Sequence, residues 1–139
     1  MLVREGETFS ETLTMTPEGS KSFSRAARDF NPLHLDEEAA ARSRYKKLIV
    51  SGTQMAAHLM ALAATHFTGR GEAVGLDFSL RFHKPVYADE TVTLSWEVTE
   101  VKPVPSGKAE VVNMKGRVTN GKGELAVAAT GRIMVAEKL

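Results

Sequence analysis

Apolar and polar positions alternate through most of the second half of the chain. Val74, Leu76, Phe78, Leu80 and Phe82 take turns with Gly75, Asp77, Ser79, Arg81 and His83, which predicts a long strand with one buried face. Val92, Leu94, Trp96 and Val98 predict a second strand, and Val112, Met114, Gly116 and Val118 a third. Asn120-Gly121 then signals a hairpin into a fourth strand over 125–135. Near the start, Phe9, Leu13 and Met15 alternate with Ser10, Thr12 and Thr14, so one further strand precedes the rest.

Between that early strand and the later four the period lengthens. Thr16-Pro17 fits an N-cap with proline at the first helical position, and Phe23, Ala26, Ala27 and Phe30 follow with helical spacing. Asn31-Pro32 ends this helix, because the residue before proline is pushed out of the α region. Asp36 is placed to cap a second short helix through Ala39 to Ala41. Ser51-Gly52 opens a longer run to about Phe67, in which Met55, Ala56, Leu59, Met60, Leu62 and Ala63 leave little of the circumference polar. Such a helix is expected to be buried, and Thr68-Gly69-Arg70-Gly71 supplies the glycines expected beyond its end. The order is strand, short helices, one buried helix, four strands. An α+β fold follows, with a mostly antiparallel curved sheet wrapped around a central helix. That order resembles the hot-dog arrangement over residues 8 to 136 and is expected to form one domain, residues 1–139.

Composition narrows the function classes. The 139 residues suit one domain, and 42% hydrophobic with 25% charged residues is the balance of an ordinary globular protein. Eighteen basic against seventeen acidic side chains leave a net charge of +1, which provides no general field for a polyanion, so nucleic acid is not an expected partner. With no cysteine, disulfides, thiolate nucleophiles and thiolate metal sites are excluded together. Residues 1–7 hold Arg4, Glu5 and Glu7 and do not resemble a secretion signal. The most apolar stretch, 48–67, is interrupted by Gln54, His58 and His66, which argues against a membrane span. Cytoplasmic residence is the expected default.

Reactive residue types and local structure coincide at Asp29-Phe30-Asn31-Pro32-Leu33-His34, expected in a loop between two short helices. A carboxylate and an imidazole on either side of a proline-fixed turn can converge on one water, one group taking its proton while the other delivers one elsewhere. The alternative is a plain turn, with Asp29 as a cap and His34 on the surface. Gly52, after Ser51, begins the buried helix, where unpaired N–H groups polarise a carbonyl oxygen that gains charge. The alternative there is an ordinary N-cap with a packing glycine. His58 and His66 lie eight apart on the same helix without an acidic partner, a spacing that suits core or pocket-lining histidines and not a metal pair. His83 is assigned to a polar strand face without a catalytic role. Arg42, Arg44, Lys46 and Lys47 form a basic run, read either as a solvated face or as a dock for the phosphates of a coenzyme A or carrier-protein arm. Arg70, Arg81 and Lys84 are rivals for that role. Gly121-Lys122-Gly123 reads as hairpin chemistry, since it lacks the glycine spacing of a phosphate loop.

Over 23–40 the chain resembles the MaoC-like, (R)-specific enoyl-CoA hydratase family. That family's signature has an Asp, any residue, Asn-Pro, an aliphatic residue and His, and Asp29, Asn31, Pro32, Leu33 and His34 fill those places. The likeness continues through Leu48-Ile49-Val50-Ser51-Gly52 and Phe82-His83-Lys84-Pro85-Val86-Tyr87-Ala88-Asp89-Glu90. The resemblance implies that Asp29 and His34 activate the water added across a 2-enoyl thioester, that the Gly52 N–H holds the thioester oxygen, and that Asn31 organises the loop. It implies a homodimer, a coenzyme A or acyl-carrier-protein thioester as substrate, and no cofactor or metal. Ser51, Gln54, Met55 and His58 are then expected to line the substrate pocket. One departure stands out: the family often has glycine just before the Asp, where this chain has Arg28. The rivals to hydration or dehydration are a hot-dog thioesterase and a non-catalytic subunit of a heteromeric dehydratase.

Overall fold

A computed structural model describes residues 2–137. In chain order the elements are β1 (Thr8–Thr14), α1 (Pro17–Ala27), α2 (Pro32–Leu35), α3 (Glu37–Arg42), α4 (Gly52–Thr68), β2 (Glu72–Phe82), β3 (Thr91–Pro103), β4 (Ala109–Thr119) and β5 (Leu125–Ala136). The five strands form one antiparallel sheet in the order β1-β3-β4-β5-β2, which curves around α4 as a hot-dog fold. Period two explains the sheet's inner face: Leu94, Trp96 and Val98 of β3, Met114 and Val118 of β4, and Val127 and Ile133 of β5 are all buried against Met55, Leu59, Ala63 and Phe67 of α4. Trp96 fixes the helix to the sheet, because its Nε1–H donates to the Leu59 carbonyl oxygen at 2.8 Å. A Cβ at Gly116 would come within 2.6 Å of the Trp96 ring, so that glycine makes room for it.

The helix boundaries follow the side-chain caps. Thr16, Asn31, Asp36 and Ser51 each accept a backbone N–H from the first turn of the helix they precede. His34 therefore stands on the single helical turn α2, whereas the sequence placed it in a loop. The buried face of α1 also differs from expectation. Ser20 and Ser24 are buried, Phe23 is half-buried, and Ala26, Ala27 and Phe30 are exposed.

Two corrections concern β2 and the turns. Residues Val74 through Phe82 do not share one face, because a bulge at Leu76 shifts the register on β5 between Gly75 and Asp77. Phe78, Leu80 and Phe82 stand opposite Gly131, Ala129 and Val127 of the inner face, but Val74 stands opposite Met134 and is exposed. The hairpin at 120–124 forms, yet its left-handed residue is Gly123 at φ 77° and not Gly121. Gly69 is right-handed at φ −68°, so its role is not a left-handed cap. Gly71 is required for a different reason, since a Cβ there would lie 2.1 Å from the Ala136 carbonyl oxygen.

The segment before β1 is pinned to the C-terminal end of α4. Glu7 accepts from Arg70 through both carboxylate oxygens and from His66 Nε2 at 2.6 Å, while the Phe9 ring stacks on His66 at 3.8 Å. Arg70 dominates the effects that hold the Glu7 carboxyl at about 2, against an ordinary value of 4.5. A depressed carboxyl stabilises the fold above its unfolded pKa and loses that contribution as pH falls from about 4.5 towards 2, at most about 3 kcal/mol. Glu7→Gln is expected to lower the melting temperature at pH 7 and to flatten the decline of stability between pH 4.5 and 2, as followed by thermal melts across that range.

Candidate active site

Asp29 is positioned by the way α1 ends. Arg28 adopts a left-handed conformation at φ 63°, its N–H turning back to the Arg25 and Ser24 carbonyls, and the Asp29 N–H donates to the Ser24 carbonyl at 2.8 Å. This is the position at which a helix commonly carries glycine, which gives the departure at Arg28 a backbone meaning. The Arg28 guanidinium lies 5.4 Å from the centre of the exposed Phe30 ring. Asp29 Oδ1 accepts from the Asn31 N–H at 3.4 Å, and Oδ2 accepts from Thr53 Oγ1 at 3.3 Å. Asn31, itself exposed, caps α2 through Oδ1, which accepts from the Leu33 N–H at 3.0 Å. Its side chain is thereby engaged at the start of the helix that carries His34.

His34 is buried, with its ring held by a backbone group. Nδ1 lies 2.8 Å from the Ile49 carbonyl oxygen, and since a carbonyl can only accept, Nδ1 carries the proton. In the neutral ring Nε2 is then a lone-pair acceptor, and it lies 3.9 Å from Asp29 Oδ2. That separation is too long for a direct hydrogen bond and suits one water donating to both groups.

Ser51 caps α4 through Oγ, which accepts from the Gln54 N–H at 3.0 Å. Among the described residues the Gly52 and Thr53 N–H groups have no acceptor in the chain, so the first turn of α4 presents them to whatever occupies the site. A cavity of about 410 Å³ opens there, lined by His34, Gly52, Met55, Phe82, His83 and Lys84 among others. The Phe82 ring lies directly over Gly52, where a Cβ would approach it to 3.0 Å.

The other expected site residues divide. Met55, Arg44 and Lys84 line the cavity, as does His83, which was expected on a polar strand face without a catalytic role. Gln54 and His58 turn away from it. Gln54 Nε2 lies 3.1 Å from His58 Nε2 and 3.9 Å from Met15 Sδ, and His58 faces Phe23 of α1. Burial is the main cause that lowers the His58 pKa, with Glu11 opposing it. Arg70 is paired with Glu7 at the far end of the 17-residue helix, about 25 Å from Gly52. Arg81 alternates with Phe82 and so faces the outer side of the sheet, beside Lys115 and Arg117. Arg42 ends α3 on the exposed surface and does not line the cavity. The residues that sequence reasoning missed are Thr53, which bonds Asp29, Ile49, which holds His34, and Phe82. Ile49 acts through its main chain, a role with no side-chain signature, whereas Phe82 is disguised as one more member of an alternating strand.

Residues 3–121 match the family model described as MaoC like domain. Over 117 residues, 82% of this chain and 80% of the relative, the sequence is 32% identical to the (R)-specific enoyl-CoA hydratase of Aeromonas caviae. It is 30% identical over 91 residues to a mitochondrial 3-hydroxyacyl-(acyl-carrier-protein) dehydratase of Arabidopsis thaliana, covering 66% of this chain and 53% of that one. The chain thus spans about half the length of the plant relative. Among solved structures, the (R)-hydratase from A. caviae involved in PHA biosynthesis superposes with a TM-score of 0.85 at 27% identity, covering 96% of this chain and 97% of that one.

The Ile49 contact sets the His34 tautomer, and nitrogen chemical shifts read it directly. In ¹⁵N-labelled protein at a pH where the ring is neutral, Nδ1 is expected to show the shift of a protonated nitrogen and Nε2 that of an unprotonated one. The reverse pattern would mean that the Ile49 carbonyl does not hold the ring.

Proposed function

The chain belongs to the MaoC-like domain family, and from that premise we propose that it is a hydro-lyase adding water to a trans-2-enoyl thioester to give a (3R)-3-hydroxyacyl thioester, or running the reverse dehydration. The observation that carries this reading is the facing pair of acceptors, Asp29 Oδ2 and His34 Nε2, at 3.9 Å beside the unpaired N–H groups of α4. A water that donates one hydrogen to each acceptor turns a lone pair toward C3 of the bound substrate. As the oxygen bonds to C3, the pair takes a proton from the water, and the C2=C3 electrons move onto the thioester oxygen. The Gly52 N–H stabilises that enolate-like oxygen with help from the helix dipole. Collapse of the enolate draws a proton from the same pair to C2, so both new bonds form on one face. Thr53 keeps Asp29 aimed by its hydrogen bond to Oδ2. No part of the sequence requires a cofactor for these transfers.

In this reading Asp29→Asn and His34→Ala each lower kcat by roughly a hundredfold or more with a much smaller change in KM. The double variant falls little below the worse single one, because the two groups act as a unit. Stopped assays with trans-2-enoyl thioesters of short, medium and branched acyl groups test this, after circular dichroism has confirmed that the variants fold. Wild-type turnover by a folded Asp29→Asn protein would sink the assignment.

The working unit in the same proposal is a homodimer joined along β2. The support is the exposure of large apolar side chains on the outermost strand, with Val74 50%, Leu76 43% and Phe82 57% exposed, and of Met60 in α4, 42% exposed. A second copy related by a two-fold axis would pair the free edge of β2 and cover apolar side chains that this edge exposes. Light scattering at micromolar concentration is expected to give twice the 15.1 kDa chain mass, and Leu76→Glu to shift the protein toward the monomer. A wild-type protein that is active as a 15.1 kDa monomer would overturn the dimer.

A further inference from the structure

The outer face of the sheet carries an arrangement that the reaction does not use. Arg117, Ala128 and Arg81 stand side by side on β4, β5 and β2, and Lys115, Thr130 and Ser79 form the adjacent row. On β4 and β5 the chain neighbours Val118, Val127 and Ala129 are buried on the inner face, so strand alternation turns these rows outward. Between the three long cations the floor is low. Ala128, Thr130 and Ser79 have short side chains, and an open trough of about 850 Å³ lies over them.

The cations around this trough are unsatisfied. Arg81 and Arg117 both flank Ala128, two strand spacings or roughly 10 Å apart, and Lys115 stands two residues from Arg117, roughly 7 Å along β4. Among the described residues none of the three has an ion pair or a side-chain hydrogen bond. Arg132, further along the same face, is already neutralised by Asp77. The lining holds one carboxylate, Glu97, which stands opposite Lys115 in the register on β3 without pairing to it. Three cations against one carboxylate leave the trough positive, and a second copy laid face to face would only set cations against cations.

We propose that this trough is a binding site for a compact multivalent anion, of the kind that a tricarboxylate or a triphosphate provides, with Arg81, Lys115 and Arg117 as its charge partners and the Ser79 and Thr130 hydroxyls as neutral donors. Carboxylate and phosphoryl oxygens both suit the fork of an arginine, and long side chains rooted 7 to 10 Å apart, by the same rough spacing, can converge on one small ligand. A singly charged anion gains too little from one solvated contact to compete with bulk salt. The positive ground ends at Glu97 on one side and at the Asp77–Arg132 pair on the other, which favours a compact ligand over an extended one. The sheet separates this site from the reaction cavity, because Phe82 and Val127, next in the chain to Arg81 and Ala128, line that cavity from the opposite face. Its occupant is therefore independent of which thioester the protein takes.

Calorimetric titration of the intact protein at low ionic strength, with citrate and with inorganic triphosphate, separates the two sources. At least one of them is expected to bind with a Kd below about 1 mM, and acetate at the same concentration to give no binding. The Lys115→Gln/Arg117→Gln double variant is expected to bind about tenfold more weakly, and Glu97→Gln, which removes the carboxylate of the lining, about threefold more tightly. All three positions are exposed on the surface, and circular dichroism checks that the variants fold. Failure of both anions to bind at that level, or an affinity unmoved by the variants, would overturn the site. So would a raised KM of the double variant for an enoyl coenzyme A thioester, because the cations would then serve the anionic arm of the substrate; the expected KM is unchanged.

Discussion

Most of what is distinctive about this molecule hangs on three residues that belong to no long element, Leu48, Ile49 and Val50. The Ile49 carbonyl accepts the His34 ring proton, and its N–H donates to the Leu33 carbonyl, so the turn α2 that carries His34 is held by both polar groups of one residue. Val50 donates to Val86 and Ala88 donates to Leu48, which pairs the same segment with the chain leaving β2. Ser51 then caps α4. The imidazole, the helix N-terminus and Tyr87 are thereby placed by one short bridge. Leu48 and Val50 are buried, and that burial keeps the hydrogen bonds dry and the geometry stiff.

The parts of the fold that could be read from sequence are those governed by nearest neighbours. Caps at Thr16, Asn31, Asp36 and Ser51 sit beside the helices they start, and β3 and β4 bury the residues that period two selects, because both strands are interior to the sheet. β2 deceived the pattern at its bulge, since one extra residue at Leu76 inverts everything before it relative to Phe78. The apolar positions of α1 deceived it differently. Its helical period is real, but Ser20 and Ser24 face inward while Ala26 and Ala27 face out, a choice made by α4 and not by α1.

At the site, the motif residues were legible because their spacing encodes a turn. Asp29, Asn31 and His34 need only local geometry to be brought together. The basic residues were not legible in this way. A cation in sequence carries no sign of whether a carboxylate already holds it, and Arg70 is held by a Glu7 that lies 63 residues away.

The bulge at Leu76 also bears on how the chain avoids open-ended self-association. A straight, apolar outer strand offers an unbroken row of amide groups on which further copies can stack without limit. Here the ladder that β2 makes with β5 is interrupted between Gly75 and Asp77, and a bulge of this kind bends the strand and increases its twist. The irregularity that misled the reading of β2 is thus one of the devices by which an edge strand is made less regular as a template for further strands.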